Sequence, residues 1–183
     1  LWAAHWDRLD VITRLIRAGA DANRADDRGV TPLARACENS SLEVVTALLT
    51  GKANPNQAQT NGLTPLMIAA GTGNTQVVRT LIAHGADVNA VAPRTGATAL
   101  MWAVGDYEKH PDVVRTLIEG GADVNIRAAA AAYMDMRGRV SKEEAEARPG
   151  SLTALTIAVR QNDKESVGLL LDARGSLKET IKL

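Results

Sequence analysis

The side chains able to do chemistry are few and scattered. The chain has three histidines, His5, His84 and His110, and one cysteine, Cys37. Zinc held by His and Cys needs them paired at short spacing, and no pair here has it. No Gly-x-Ser-x-Gly segment is present to make a nucleophile elbow. Gly71-Thr72-Gly73 lacks the third glycine of a dinucleotide loop, and Gly51-Lys52 is followed by Ala53 rather than by Ser or Thr. Glu143, Glu144 and Glu146 form a charge run of the kind that solvates a helix face. Asn39-Ser40-Ser41 fits a glycosylation acceptor, a triplet that also recurs by chance. No catalytic constellation, metal site or cofactor loop is legible, so no enzyme is expected in these residues.

Composition narrows the class further. The 183 residues suffice for one domain of ordinary size. They are 45% hydrophobic, with no Phe and only 3% aromatic residues. The core must then be built from Ala, Leu, Val and Ile, which suits closely packed helices. Lys plus Arg equals Asp plus Glu at 21 each, whereas nucleic-acid binders carry a basic excess. No apolar run approaches 18 residues, the length that spans a bilayer. Neither a nucleic-acid partner nor a membrane is therefore expected. One cysteine permits no internal disulfide. No signal peptide is legible. The chain opens at Leu1, inside a structural unit, so a native N-terminus further upstream is expected; the compartment is left open.

That unit is an internal repeat. Thr64 opens TPLMIAAGTGNTQVVRTLIAHGADVNA, and Thr31, Thr98 and Thr153 open its relatives. The stretch LWAAHWDRLDVITRLIRAGADAN at the start matches from one residue after the leucine of TPL. Successive threonines stand 33, 34 and 55 residues apart. Thr with Pro32 or Pro65 behind it predicts a capped first helix. The pair Ala69–Ala70 keeps that helix thin. Val77, Val78, Leu81 and Ile82 predict a second helix, which Gly85 ends with a left-handed cap. One such unit cannot bury its apolar face alone, but stacked units share a continuous core.

TPL at 31–33 and 64–66, TAL at 98–100 and 153–155, and GADxN at 19–23, 85–89 and 121–125 resemble the ankyrin repeat. The resemblance implies an all-α solenoid of about five stacked helix-turn-helix repeats with β-hairpin-like fingers. As one domain over 1–183, the repeats would span about 1–30 (truncated), 31–63, 64–97, 98–152 and 153–183. It also implies a concave side, formed by fingers and first helices, that grips a partner protein. The repeated Asn23, Asn56, Asn89 and Asn125 suit turns, and in the family this Asn is sometimes hydroxylated. The Ala-rich, GADVN-rich style resembles ankyrin proteins of bacteria, some of which are exported to act on host proteins.

Several positions depart from the pattern. The first-helix core slot holds Trp2, Arg35, Ile68, Trp102 and Ile157. A buried, unpaired guanidinium is costly, so Arg35 is expected to run its stem along the stack toward Trp2 or Glu38. The fourth copy has two extra residues in its inter-helix loop, which carries Tyr107 and His110. Arg174 replaces the glycine that would end the last second helix. From Asn125 to Thr153 the chain spends 28 residues where Asn23 to Thr31 spends 8, so 20 extra residues enter one finger, at about 128–149. Within it, 128–137 has high helix propensity, and Ser141 with Glu144 offers a capping box.

If the family geometry holds, residues just past the Ala pair reach the partner: His5, Trp6, Glu38, Asn39, Thr72 and Asp106, with Tyr107 in the longer loop. The slot after the TPL leucine adds Met67 and Met101. Fingers supply Arg24, Asp27, Arg28, Gln59, Asn61 and Arg94, and the insertion supplies Tyr133, Met134 and Met136. Aromatics, Arg and Met are residues that interfaces favour. The expected function is a monomeric, non-enzymatic scaffold that binds a protein partner. The alternative is a regulatory or targeting arm of a larger enzyme whose catalytic part lies outside these residues.

Overall fold

The computed structural model describes residues 1–105, 109–128 and 152–180, with side chains as far as Arg174. The chain divides into two compact units, Leu1–Asp87 and Val88–Leu183. In the first lie α1 (Trp2–His5), α2 (Leu9–Arg17), α3 (Pro32–Glu38), α4 (Leu42–Thr50), α5 (Pro65–Thr72) and α6 (Thr75–Ala83). In the second lie α7 (Ala99–Gly105), α8 (Pro111–Glu119), α9 (Ala154–Arg160) and α10 (Lys164–Thr180). The expected all-α repeat architecture is what these residues form. In the first unit α3 packs on α1, α4 and α5, while α4 packs on α2 and α6. In the second, α7 packs on α8 and α9, and α10 packs on the same two.

The repeats that open on threonine are built by the same local chemistry. The hydroxyl of Thr31 accepts from Ala34 N at 3.0 Å, and that of Thr64 from Met67 N at 3.3 Å. Thr153 and Thr156 cap each other's backbone at the start of α9. Such a cap contributes about 1 kcal/mol. The pairs Ala36–Cys37 and Ala69–Ala70 are wholly buried, and Leu33, Leu66, Leu81, Leu100 and Leu117 fill the space between helices. Small side chains on the first helices let the partners approach, and close packing then contributes dispersion contacts.

Second helices end in one conserved geometry. Gly19, Gly85 and Gly121 sit at φ 83°, 85° and 92°. The next N–H reaches back five residues, as in Ala86 N to Leu81 O at 3.0 Å. Lys52 holds the same place after α4 at φ 66°, where a Cβ is strained. In the last copy Arg174 stands there instead, and α10 continues for 17 residues against nine in α2, α4, α6 and α8. The expected loss of the glycine stop is thus seen as a longer helix.

The fingers are closed turns rather than strands: among the described residues the one β-bridge pairs Ala128 with Leu152. The same backbone bond closes all four. Asp26 N donates to Val30 O at 3.1 Å, Gln59 N to Leu63 O at 2.9 Å, Ala92 N to Ala97 O at 2.9 Å, and Ala128 N to Leu152 O at 2.8 Å. The first three enclose 27–29, 60–62 and 93–96; the fourth encloses 129–151. The 20 extra residues between Asn125 and Thr153 therefore lie inside one finger, as the sequence spacing required. The helix expected over 128–137 and the Ser141–Glu144 capping box lie outside the described residues.

The repeated asparagines have a structural task. Asn23 Nδ2 donates to Lys52 O at 3.2 Å while its Oδ1 accepts from Asn54 N at 2.6 Å. Asn56 does the same to Gly85 O (2.9 Å) and Asp87 N (2.7 Å). Asn89 does so to Gly121 O (3.0 Å) and Asp123 N (2.7 Å). Each amide thus ties one finger to the end of the following second helix, satisfying a carbonyl that the helix leaves open. The sequence suggested bonding to nearby backbone; the partner is the neighbouring repeat.

Candidate partner-binding surface

In the first unit the ends of the first helices present His5, Trp6, Glu38 and Thr72 as exposed side chains. His5 and Trp6 meet edge to face with centroids 5.0 Å apart, and Trp6 remains 60% exposed. A half-supported indole of this kind offers large apolar area at little further entropic cost. The loops beneath are held firmly: Asn39 Nδ2 donates to Ala4 O and His5 O, both at 3.0 Å, and Asn74 Nδ2 donates to Ser40 O at 3.0 Å. Asn39 is exposed, but its amide donors already serve the fold.

The first two fingers lie against each other. Arg28 O accepts from both the backbone N–H and the hydroxyl of Thr60, at 3.0 and 2.9 Å. Gly29 at φ 74° makes this approach possible, because a Cβ there would stand 2.9 Å from Thr60 N. Arg24, Asp27, Arg28 and Asn61 are exposed, and Gln59 is half-buried. Asn61 Oδ1 accepts from Leu63 N at 3.0 Å, shaping its own turn.

Asp26 links the first finger to α3. Its carboxylate accepts from Val30 N at 2.9 Å and Arg28 N at 3.0 Å. Those bonds hold it below the ordinary Asp value, with Arg28 and Arg35 adding attraction. Arg35 ion-pairs with Glu38 one turn along α3. Of the two partners anticipated for its head, the acid is the one it meets, and its side chain is 22% exposed. Cys37 on the same helix is fully buried, and burial pushes its thiol far up, away from the reactive thiolate.

Two expectations are corrected. Met67 and Met101 are each only 1% exposed. The slot after the TPL leucine packs into the core, as Ala34 does at 0%. It opens only in the first and last repeats, where Leu1 is 40% exposed and Thr156 is exposed. Neither methionine is available to a partner in this structure. Conversely, Trp2, assigned to a core slot, is 65% exposed, whereas Ile157 in the same slot of α9 is at 0%. Sequence reasoning also passed over Leu15, 48% exposed where Leu48, Leu81, Leu117 and Leu170 are at 0–3%. The signal for it was available: the slot needs a helix pair packed against it.

In the second unit Arg94 is exposed at a finger tip, near Val91 in sequence, which is 47% exposed. Asp106, Tyr107, Tyr133, Met134 and Met136 lie outside the described residues. Among the described residues no three His, Cys, Asp or Glu side chains gather where a metal ion would fit. No described helix is long and apolar enough to cross a membrane. The family model described as ankyrin repeats (three copies) matches residues 1–58 and 41–128. No curated protein matches the chain.

Proposed function

The chain belongs to the ankyrin repeat family, and from that premise we propose that it is a non-enzymatic scaffold that binds a partner protein through first-helix ends and fingers. Ankyrin repeats are in general protein–protein interaction modules, typically without catalysis. The observation that carries the reading for this chain is the exposed set in the first unit. Trp6 stands out against His5, with Arg24, Asp27, Arg28, Glu38, Asn61 and Thr72 also in solvent. An exposed aromatic beside mixed charges, with the His5 and Arg28 carbonyls held by hydrogen bonds from the next repeat, is the anatomy of an anchor with a polar rim. Pre-organisation of this kind lowers the entropy lost on association.

Arg94 extends the proposal to a finger of the second unit. The Ala-rich, GADVN-rich style supports the finer reading of a bacterial protein that acts on host proteins. The test is affinity capture with the chain and with Trp6→Ala and Arg28→Glu variants. A specific protein captured by the parent chain, and at least tenfold less by Trp6→Ala, is expected. Equal capture by all three proteins rejects this surface. Hydrolase activity in the purified chain rejects the non-enzymatic reading.

A further inference from the structure

Of the asparagines in the chain, Asn61 alone is followed by glycine. That pairing is the one most open to spontaneous loss of ammonia, because Gly62 has no side chain to shield its nitrogen from the amide carbon before it. The neighbouring fingers differ: Gly29 follows Arg28 and Gly96 follows Thr95, and neither Arg nor Thr carries a side-chain amide. Asn61 is exposed in the second finger. The turn nevertheless occupies both reacting groups. Gly62 N, on a residue at φ 87°, donates to Gln59 O at 2.8 Å. The side-chain carbonyl of Asn61 accepts from Leu63 N at 3.0 Å. Around them, Gln59 N donates to Leu63 O at 2.9 Å and Thr60 N to Arg28 O at 3.0 Å. Attack requires Gly62 N to give up its proton and turn toward the amide carbon, so its bond to Gln59 O has to open first.

We propose that Asn61 is a spontaneous modification site, a deamidating asparagine held back by the closed second finger. A base in solvent takes the proton of Gly62 N, and the nitrogen bonds to Cγ of Asn61. The Cγ–Nδ2 bond breaks, and the amide leaves as ammonia with a proton from solvent. Water then opens the cyclic imide at either carbonyl, leaving aspartate or isoaspartate. Both acids put a negative charge where the finger carried a neutral amide. Isoaspartate also inserts a methylene into the main chain between positions 61 and 62. That addition falls inside the turn closed by Gln59 N and Leu63 O, next to the Thr60 bonds to Arg28 O. The inference rests on bonds around the finger, and it stands or falls separately from partner binding.

The intact chain is to be incubated in mildly alkaline buffer, once folded and once unfolded in urea. Peptide mapping by mass spectrometry, with aspartate and isoaspartate separated by chromatography, follows every asparagine in time. In urea, Asn61 is expected to react before any other asparagine and to give both acids. In the folded chain the same residue is expected to react about tenfold more slowly, since only the open turn is competent. Equal rates in the two conditions overturn the proposal, because the finger then holds nothing back. An asparagine other than Asn61 reacting first in urea overturns it as well.

Discussion

Leu15 in α2 and Leu81 in α6 hold the same place in their repeats, yet Leu15 is 48% exposed and Leu81 is wholly buried. The helices have equal length, nine residues each. Both end on a glycine in the left-handed region, Gly19 and Gly85. Local sequence therefore makes the two helices alike, and the neighbours make them different. In a repeat array, burial is a property of the interface between units as much as of the residue.

Truncating the two leucines tests that difference most directly. Leu81→Ala should cost about 3 kcal/mol in urea denaturation, the transfer of a buried side chain plus the cavity left behind. Leu15→Ala should cost under about 1 kcal/mol, since half of its surface is already wet. Equal losses would show that α2 is covered in solution. Asn56 offers the second test. Asn56→Ala removes the bonds to Gly85 O and Asp87 N and should cost about 1.5 kcal/mol, the exposed site letting water take their place. An unchanged midpoint would mean that the glycine ends are held by the helix alone.

A smaller effect of opposite sign is expected at Lys52. Lys52→Gly relieves a strained φ of 66° and should add about 1 kcal/mol, making the end of α4 like those of α2 and α6. A loss of stability would locate an unrecognised role in the lysine side chain. The smallest effect is at Asp26. Its folded pKa is depressed below the ordinary 3.8, so its contribution is complete above the unfolded value and is lost as pH falls through the lower folded one. Carboxyl NMR should give a midpoint under 3.8; one above that value removes the bonds to Arg28 N and Val30 N from the account.

The repeat period, the threonine caps, the missing glycine at Arg174 and the finger that takes the insertion were all legible in the sequence. Each depends on spacing or on a local backbone requirement, and the chain states both. What could not be read was which side of a first helix meets the next repeat. Met67 and Met101 follow the TPL leucine by one residue, a turn of about 100° on a helix. Period alone does not fix where that direction points. Both are buried, and Trp2, one slot further on, is exposed. The strain at Lys52 was equally hidden, since Gly51 beside it suggests that the usual glycine is present.

Ala128 and Leu152 close their finger with the same bond that closes turns of three or four residues. Polymer statistics put the added cost of the longer loop at about 2 kcal/mol, and it is met at one place without shifting the register of Thr153. The chain thus carries a socket whose two rims, Ala128 and Leu152, meet as the rims of the short fingers do. Sequence can be gained, lost or exchanged between those rims over evolutionary time while α7 to α10 keep their places. The same rims mark where a foreign peptide could be grafted into the array.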